Sequence, residues 1–264
     1  MSTLTEYAQV GRTYSQQLGA IAKEGFVQRE VEYFRANISK ISTGDELIDD
    51  YRLYTFAMKA FGLESQTYAK GLMRKVFDEG IVSDKSTANR LQDGAFREIA
   101  EAFGFAETGN LNMLIHKNVD AVVEKYLKLE LEERIGESNQ GVRLAIYFER
   151  KIADVDNWYE VIGDAALYET VRTMMGLPQE FVSTNIDRQV EYFENRIPLE
   201  DLKDPKKLDK WMQRFTAMWD VVQGPQSGVD LAASGIAPIQ PLGSAPAIVS
   251  IDPSLLADLS KYRL

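Results

Sequence analysis

The fold is decided by a stretch that reads Val31-Glu32-Tyr33-Phe34-Arg35-Ala36-Asn37-Ile38. Its apolar positions recur at spacings of four, three and four, which is one face of a helix: Val27, Val31, Phe34 and Ile38. After a short capped turn, a second apolar stripe ends at Phe61, and Gly62 takes the left-handed stop position. The stretch therefore predicts two helices, each with one face to bury.

The same pattern returns later in the chain. Residues 33–63 and 147–177 align without a gap at an offset of 114, and ten of the 31 positions are identical. A copy that begins at Ile186 repeats the first stripe at an offset of 159, and a weaker copy ends at Phe103. Duplication of one unit is the simplest explanation of these offsets.

The sequence predicts an all-α fold of internally repeated helix-hairpin units that form a bundle or a short superhelix, because each unit needs a neighbour to cover its apolar face. The repeat domain is placed at 26–222. Within it lie units at about 27–63, 65–105, 141–177 and 186–222, and a connecting helix at 116–140. Residues 1–25 are predicted to be a loosely structured lead-in, because Gly19 and Gly25 weaken a helix there.

Residues 223–264 are predicted to be an extended tail rich in Gly, Pro, Ser and Ala, ending in a short helix. Asp252-Pro253 is a good start for that helix. Its apolar stripe must be buried on the body or on a partner, and we predict it as the partner-binding set: Leu255, Leu256, Leu259 and Tyr262. Truncation after Gly224 is expected to leave the helical body folded and to remove the partner interaction or the oligomer.

Composition excludes several classes of function. The net charge of −10, without a cluster of Lys and Arg, argues against nucleic acid as a partner. No apolar run is long enough to span a bilayer, and the first 25 residues do not have the pattern of a cleaved signal peptide. The absence of cysteine excludes disulfides, thiolate metal sites and thiol nucleophiles, and fits a cytoplasmic or an exported protein.

The sequence predicts no catalytic residue, no cofactor site and no metal site. The single histidine, His116, has no partner pattern around it, and the acidic run from Glu130 to Glu137 is interpreted as a solvated helix face. The segment 154–157 resembles the start of a calcium loop but lacks the required Gly and Glu, so capping is the expected role. Arg143 either pairs with a carboxylate inside the protein or lies over Leu144 at the surface.

Taken together, several stretches resemble one bacterial family. They are residues 29–38, Ala60-Phe61-Gly62-Leu63-Glu64, residues 88–93, residues 131–145 and Tyr147-Phe148-Glu149-Arg150-Lys151. The chain is similar over about residues 25–222 to the family catalogued as domain of unknown function twelve-seventeen. Members of that family are typically alphaproteobacterial and are often encoded within flagellar gene clusters. The resemblance implies a role in the flagellum, and it supplies no activity and no catalytic residue.

The sequence therefore favours a non-enzymatic, flagellum-associated protein, a structural accessory or an assembly factor, that acts through protein–protein contacts. The alternative is a cytoplasmic helical-repeat adaptor or regulator unrelated to the flagellum. A third class, a small-molecule-binding protein or an enzyme, requires a pocket with convergent polar groups.

Overall fold

The structure is a computed structural model, and it describes residues 1–91 and 93–223. Every regular element in these residues is helical, which confirms the predicted all-α class. None of the helices in this part of the chain combines the length and the apolar character that crossing a bilayer requires.

The α-helices follow one another with short connections. In chain order they are α1 (Thr3–Ile21), α2 (Gly25–Asn37), α3 (Gly44–Asp49), α4 (Tyr51–Ala60), α5 (Lys70–Glu79), α6 (Thr87–Arg90), α7 (Ala95–Phe103), α8 (Phe105–Thr108), α9 (Leu111–Leu114), α10 (His116–Ser138), α11 (Gln140–Lys151), α12 (Trp158–Gly163), α13 (Ala165–Met174), α14 (Ile186–Glu194), α15 (Leu199–Lys203) and α16 (Pro205–Gln223). Short 3₁₀ segments lie at Ile38–Lys40, Glu64–Gln66, Ile152–Asp154 and Gln179–Ser183.

The longest helix, α10, and its successor α11 occupy the centre of the described body. α10 packs against α1, α4 and α11, and α11 packs against α1, α13 and α16. Asn139 separates the two central helices and caps the second, since its side chain accepts hydrogen bonds from the N–H groups of Gly141 and Val142. The repeated units are thus arranged around a central helix pair.

Helix α1 corrects the prediction of a loosely structured lead-in over residues 1–25. Ser2 caps the helix, and the Thr3 N–H donates to both carboxylate oxygens of Asp220, at 3.1 and 2.9 Å. An apolar stripe with helical spacing packs on α10, α11 and α16: Tyr7, Val10, Tyr14, Leu18 and Ile21. Burial of this stripe outweighs the helix-weakening effect of Gly11 and Gly19, which tertiary contacts commonly override.

The first and third units have the same internal order: a long helix, a 3₁₀ segment, a short helix and a second long helix. The short helix has the same cap in each: the side chain of Thr43 or Asn157 accepts the N–H of Glu46 or Glu160, and that glutamate accepts the N–H of the residue before the cap. The second long helix is capped in each unit by an aspartate, Asp50 or Asp164. The remaining units also place a short helix, α6 or α15, between two longer ones.

Glycine ends the second long helix of both units in the same way. Gly62 has a φ of +74° and Gly176 a φ of +66°, a region that side-chain-bearing residues rarely adopt. The N–H of the following leucine then reaches back to a carbonyl of the helix, Leu63 to Met58 at 2.8 Å and Leu177 to Arg172 at 3.0 Å. This is the closing bond of a Schellman motif, as expected from the sequence.

The predicted tail and its partner-binding stripe, Leu255, Leu256, Leu259 and Tyr262, lie outside the described residues. The described chain ends within α16, which runs through Gln223, so the first residue of the predicted tail is helical.

Candidate functional site

An open groove lies between the second and third units of the described body, with a volume of about 1010 Å³. We call it the inter-unit groove. One wall comes from the segment that ends in α7, and the other from residues 151–167, including α12. Ile186, the first residue of α14, closes one end. Three repeat units therefore contribute to one surface.

The rim of the groove carries apolar side chains that are open to solvent. Tyr159 is 50 % exposed and Ile186 is 40 % exposed. Partly buried apolar residues continue the lining inward: Ile81, Leu91 and Ile162. These side chains leave apolar surface uncovered along the groove.

The position of Tyr159 follows from the start of α12. Asn157 accepts from the Glu160 N–H at 3.1 Å, and the Glu160 carboxylate accepts from the Asp156 N–H at 2.9 Å. These bonds fix the first turn, so Trp158 points into the core while Tyr159 points out. The Tyr159 hydroxyl donates to Asp187 at 3.0 Å, which holds the ring beside α14.

The floor of the groove is an ion cluster centred on Glu98. Lys125 contacts one carboxylate oxygen of Glu98 at 2.9 Å, and Lys151 contacts the other. Burial opposes ionisation of Glu98, but the two ammonium groups outweigh burial and lower the pKa of its carboxyl. Smaller cavities of about 340 and 220 Å³ also reach this cluster, so Glu98 lies where several clefts meet.

The charges of the floor determine what chemistry it can perform. An ionised carboxylate with a lowered pKa is a weak base at neutral pH, and Glu98 already accepts from two lysines. The cluster is suited to polar contacts with a bound chain. Its lysines and the apolar rim together make a surface that offers both charged and apolar contacts.

The acidic run of α10 differs from the prediction of a solvated helix face. Glu132 is only 1 % exposed, and it receives Arg150 in a two-point ion pair with distances of 2.7 and 3.0 Å. Lys59 bridges Glu130 and Glu133 at 2.8 and 2.7 Å. The reason is tertiary: α4 and α11 cover α10, so carboxylates on the covered faces need cationic partners.

The other residues singled out in the sequence do not converge on the groove. His116 is exposed at the start of α10, and Asn157 is a cap, as expected from the sequence. Arg143 is half-buried, and no carboxylate of the described residues lies within 4.0 Å of its guanidinium. Its side chain instead covers Gly136, where an added Cβ would lie 2.5 Å from the Arg143 Cδ.

The groove itself could not be recognised from the sequence. Tyr159 and Ile186 belong to different units, and only the packing of α12 against α14 brings them to one rim. A weak signal existed: Tyr159 is an aromatic residue one position away from the buried face of its helix.

Comparison with known protein families identifies the family of this chain. The family model described as "Protein of unknown function (DUF1217)" matches residues 60–208, more than half of the sequence. The chain belongs to the DUF1217 family. The resemblance to the family catalogued as domain of unknown function twelve-seventeen is thereby confirmed, and no match among curated proteins was found.

A solved structure supports the same assignment for this DUF1217 protein. A crystal structure of a protein from Agrobacterium tumefaciens, determined as a structural genomics target, is 34% identical and superposes with a TM-score of 0.78. The similarity covers 84% of this chain and 97% of that chain. The description of that protein states no activity.

Proposed function

We propose that this DUF1217 protein is a non-enzymatic, flagellum-associated protein, a structural accessory or an assembly factor, and that it binds a protein partner through the inter-unit groove. The observation that carries the proposal is the solvent-open apolar rim formed by Tyr159 and Ile186 at the junction of three units. A monomer gains nothing from leaving such residues uncovered. A partner that covered them would remove apolar area from water, at about 25 cal/mol per Å².

The shape of the groove favours a polypeptide as the occupant. Its volume of about 1010 Å³ is at the upper limit of the usual range for small-molecule pockets, and it is open to solvent. Tyr is enriched among the residues that contribute most to binding in protein interfaces, and Tyr159 is held in place by Asp187. A pre-positioned anchor loses little side-chain entropy on binding.

Two considerations support the rest of the proposal. The Glu98 carboxylate is ion-paired with both Lys125 and Lys151, which favours a role in binding over acid–base chemistry. The flagellar assignment rests on the family resemblance, because members are often encoded within flagellar gene clusters. The alternative remains a cytoplasmic adaptor or regulator that uses the same groove on a partner unrelated to the flagellum.

In-cell photo-cross-linking combined with fractionation tests the proposal. A photoreactive phenylalanine analogue replaces Tyr159, and a matched chain carries it at Tyr51, which is 70 % exposed and does not line the groove. We expect a discrete cross-linked protein from position 159 only, recovered with basal bodies or with the exported fraction. A cross-link found only in the cytoplasm, to a protein with no flagellar role, would favour the alternative.

The tail contributes a second proposed contact. Leu255, Leu256, Leu259 and Tyr262 remain the proposed partner-binding set, and a chain that ends at Gly224 is expected to fold while losing its partner or oligomer. Circular dichroism and size-exclusion chromatography of the full and shortened chains measure both properties. Loss of helix content on truncation would show that the tail is part of the core.

A further inference from the structure

A second cavity lies apart from the inter-unit groove, between α1, α11 and α16. We call it the α1 cleft, and its volume is about 890 Å³, within the usual range for small-ligand pockets. None of the residues that line it lines the inter-unit groove. Any ligand of this cleft would therefore bind independently of a partner in the groove.

The walls of the α1 cleft combine aromatic and apolar side chains with polar and charged ones. Tyr7 and Tyr14 lie on the α1 side, with Leu4 beside them, and Ile146 lies on the α11 side. Aromatic faces attract cations through the negative charge of the ring face. Gly11 also lines the cleft, and no heavy atom lies within 4 Å of where its Cβ would be. The missing side chain leaves room for a ligand.

Two carboxylates border this space without a cationic partner. Glu149 accepts the Tyr7 hydroxyl at 2.6 Å, and Asp209 accepts the Gln213 amide at 2.9 Å. Neither carboxylate forms an ion pair with any residue of 1–91 or 93–223. Burial raises the pKa of the Glu149 carboxyl and nearby Asp209 raises it further, while the Tyr7 hydroxyl opposes the rise.

The cations around the α1 cleft have other partners. Arg150 is held by buried Glu132, and Lys128 pairs with Glu124 at 2.7 Å. The exposed Arg12 turns along its own helix, where its Nε donates to the Ala8 carbonyl at 3.0 Å. Arg12 is thus the one lining cation without a carboxylate partner among the described residues, and the two unpaired carboxylates outnumber it.

We propose that the α1 cleft binds an organic cation, a primary ammonium or a guanidinium carried on a small apolar body. The cationic head would pair with Glu149 and Asp209, and the apolar body would pack on Tyr7, Tyr14 and Ile146. The head group could belong to a free amine or to a lysine or arginine side chain of a peptide. These sources share the same chemistry at the cleft.

Isothermal titration calorimetry of the full chain with phenethylamine at pH 7.5 tests the proposal, and neutral 2-phenylethanol serves as the uncharged control. We expect the amine to bind with a Kd of about 1 mM or tighter, a reasonable value for a ligand of nine non-hydrogen atoms, and the alcohol at least tenfold more weakly. Equal binding of amine and alcohol, or no binding of the amine, would overturn the proposal.

Matched variants locate the site. Gly11→Leu places a side chain in the cleft and is expected to weaken amine binding at least tenfold. Gly19→Leu, on the same helix and outside the cleft, is expected to leave binding unchanged. Glu149→Gln is expected to weaken amine binding at least tenfold. Unchanged binding in both Gly11→Leu and Glu149→Gln, with thermal melts that show folded protein, would place the amine elsewhere and overturn the assignment.

A final comparison separates the two sources of the cation. An acetylated phenylalanyl-lysine amide is titrated beside phenethylamine, with a norleucine version as its neutral control. Tighter binding of the lysine peptide supports a peptide side chain as the ligand, and tighter binding of the free amine supports a small molecule. Failure of both cationic probes contradicts the proposal, and it leaves the function proposed for the inter-unit groove untouched.

Discussion

The Tyr147 hydroxyl donates to the Asp164 carboxylate at 2.6 Å, while the same carboxylate caps α13 by accepting the N–H groups of Ala166 and Leu167. The first unit makes the same bond between Tyr33 and Asp50, at 2.8 Å. The tyrosine of the first long helix is thereby tied to the start of the second. The repeat preserves a structural connection as well as an apolar pattern.

This hydrogen bond predicts which of two substitutions lowers the free energy of unfolding more. Asp164→Ala removes a helix cap and also leaves the Tyr147 hydroxyl without its acceptor, so we expect a loss of about 2–3 kcal/mol. Tyr147→Phe removes only the hydroxyl, and we expect about 1–2 kcal/mol. Urea unfolding followed by circular dichroism measures both. An Asp164→Ala loss smaller than the Tyr147→Phe loss would contradict the double role of Asp164.

The pair of Glu132 and Arg150 predicts a larger effect. Arg150→Met leaves the carboxylate of Glu132, which is 1 % exposed, without a cation, and we expect a loss of about 3–5 kcal/mol. The double variant Glu132→Leu with Arg150→Met removes both charges and should recover most of that loss. A double variant as unstable as the single one would show that the pair itself, and not the stranded charge, stabilises the fold.

Two glycines, one in α1 and one in α11, predict opposite effects of substitution by alanine. Gly19→Ala adds a methyl group in open space within α1, and we expect stabilisation by about 0.5–1 kcal/mol. Gly141→Ala in α11 brings a Cβ to 2.4 Å from the Trp219 ring, and we expect destabilisation by about 1–3 kcal/mol. Thermal melts of the two variants beside the natural chain give the signs. A stabilising Gly141→Ala would mean that α16 moves away from α11 at little cost.

The raised pKa of Glu149 predicts that the difference in melting temperature between the natural chain and a Glu149→Gln variant depends on pH. Folding raises the pKa of this carboxyl, so the folded chain favours the protonated form. The stabilisation that comes from the protonated form is complete below the ordinary pKa of about 4.3, and it is lost as pH rises through the raised pKa of the folded chain. Glu149→Gln mimics the protonated form. We expect the variant to melt above the natural chain at pH 7 and close to it at pH 4. A variant less stable than the natural chain at pH 7 would contradict this sign.

Much of the fold could be predicted because the repeat retained the residues that form caps and stops. Glu46 and Glu160, Asp50 and Asp164, and Gly62 and Gly176 are identical pairs in the aligned units, and each pair has one structural role. These roles depend on neighbours within a few residues along the chain. Local sequence therefore carries them.

What the sequence did not reveal depends on contacts between distant segments. Helix α1 was missed because its glycines lower local propensity, while its apolar stripe becomes decisive only against α10, α11 and α16. The sequence pattern alone predicts a solvated Glu132, because its partner Arg150 is 18 positions away and only packing brings the two side chains together. The rim of the inter-unit groove joins Tyr159 and Ile186 from different units for the same reason.

Swimming motility of a clean deletion strain, complemented with the natural chain or with a Tyr159→Asp, Ile186→Asp variant, tests the central claim most directly. Both substitutions fall on exposed positions, so the variant should fold, which circular dichroism of the purified protein checks. We expect the deletion to impair filament assembly and swimming, the natural chain to restore both, and the groove variant to fail. A deletion strain that assembles filaments and swims like its parent would contradict the proposed function.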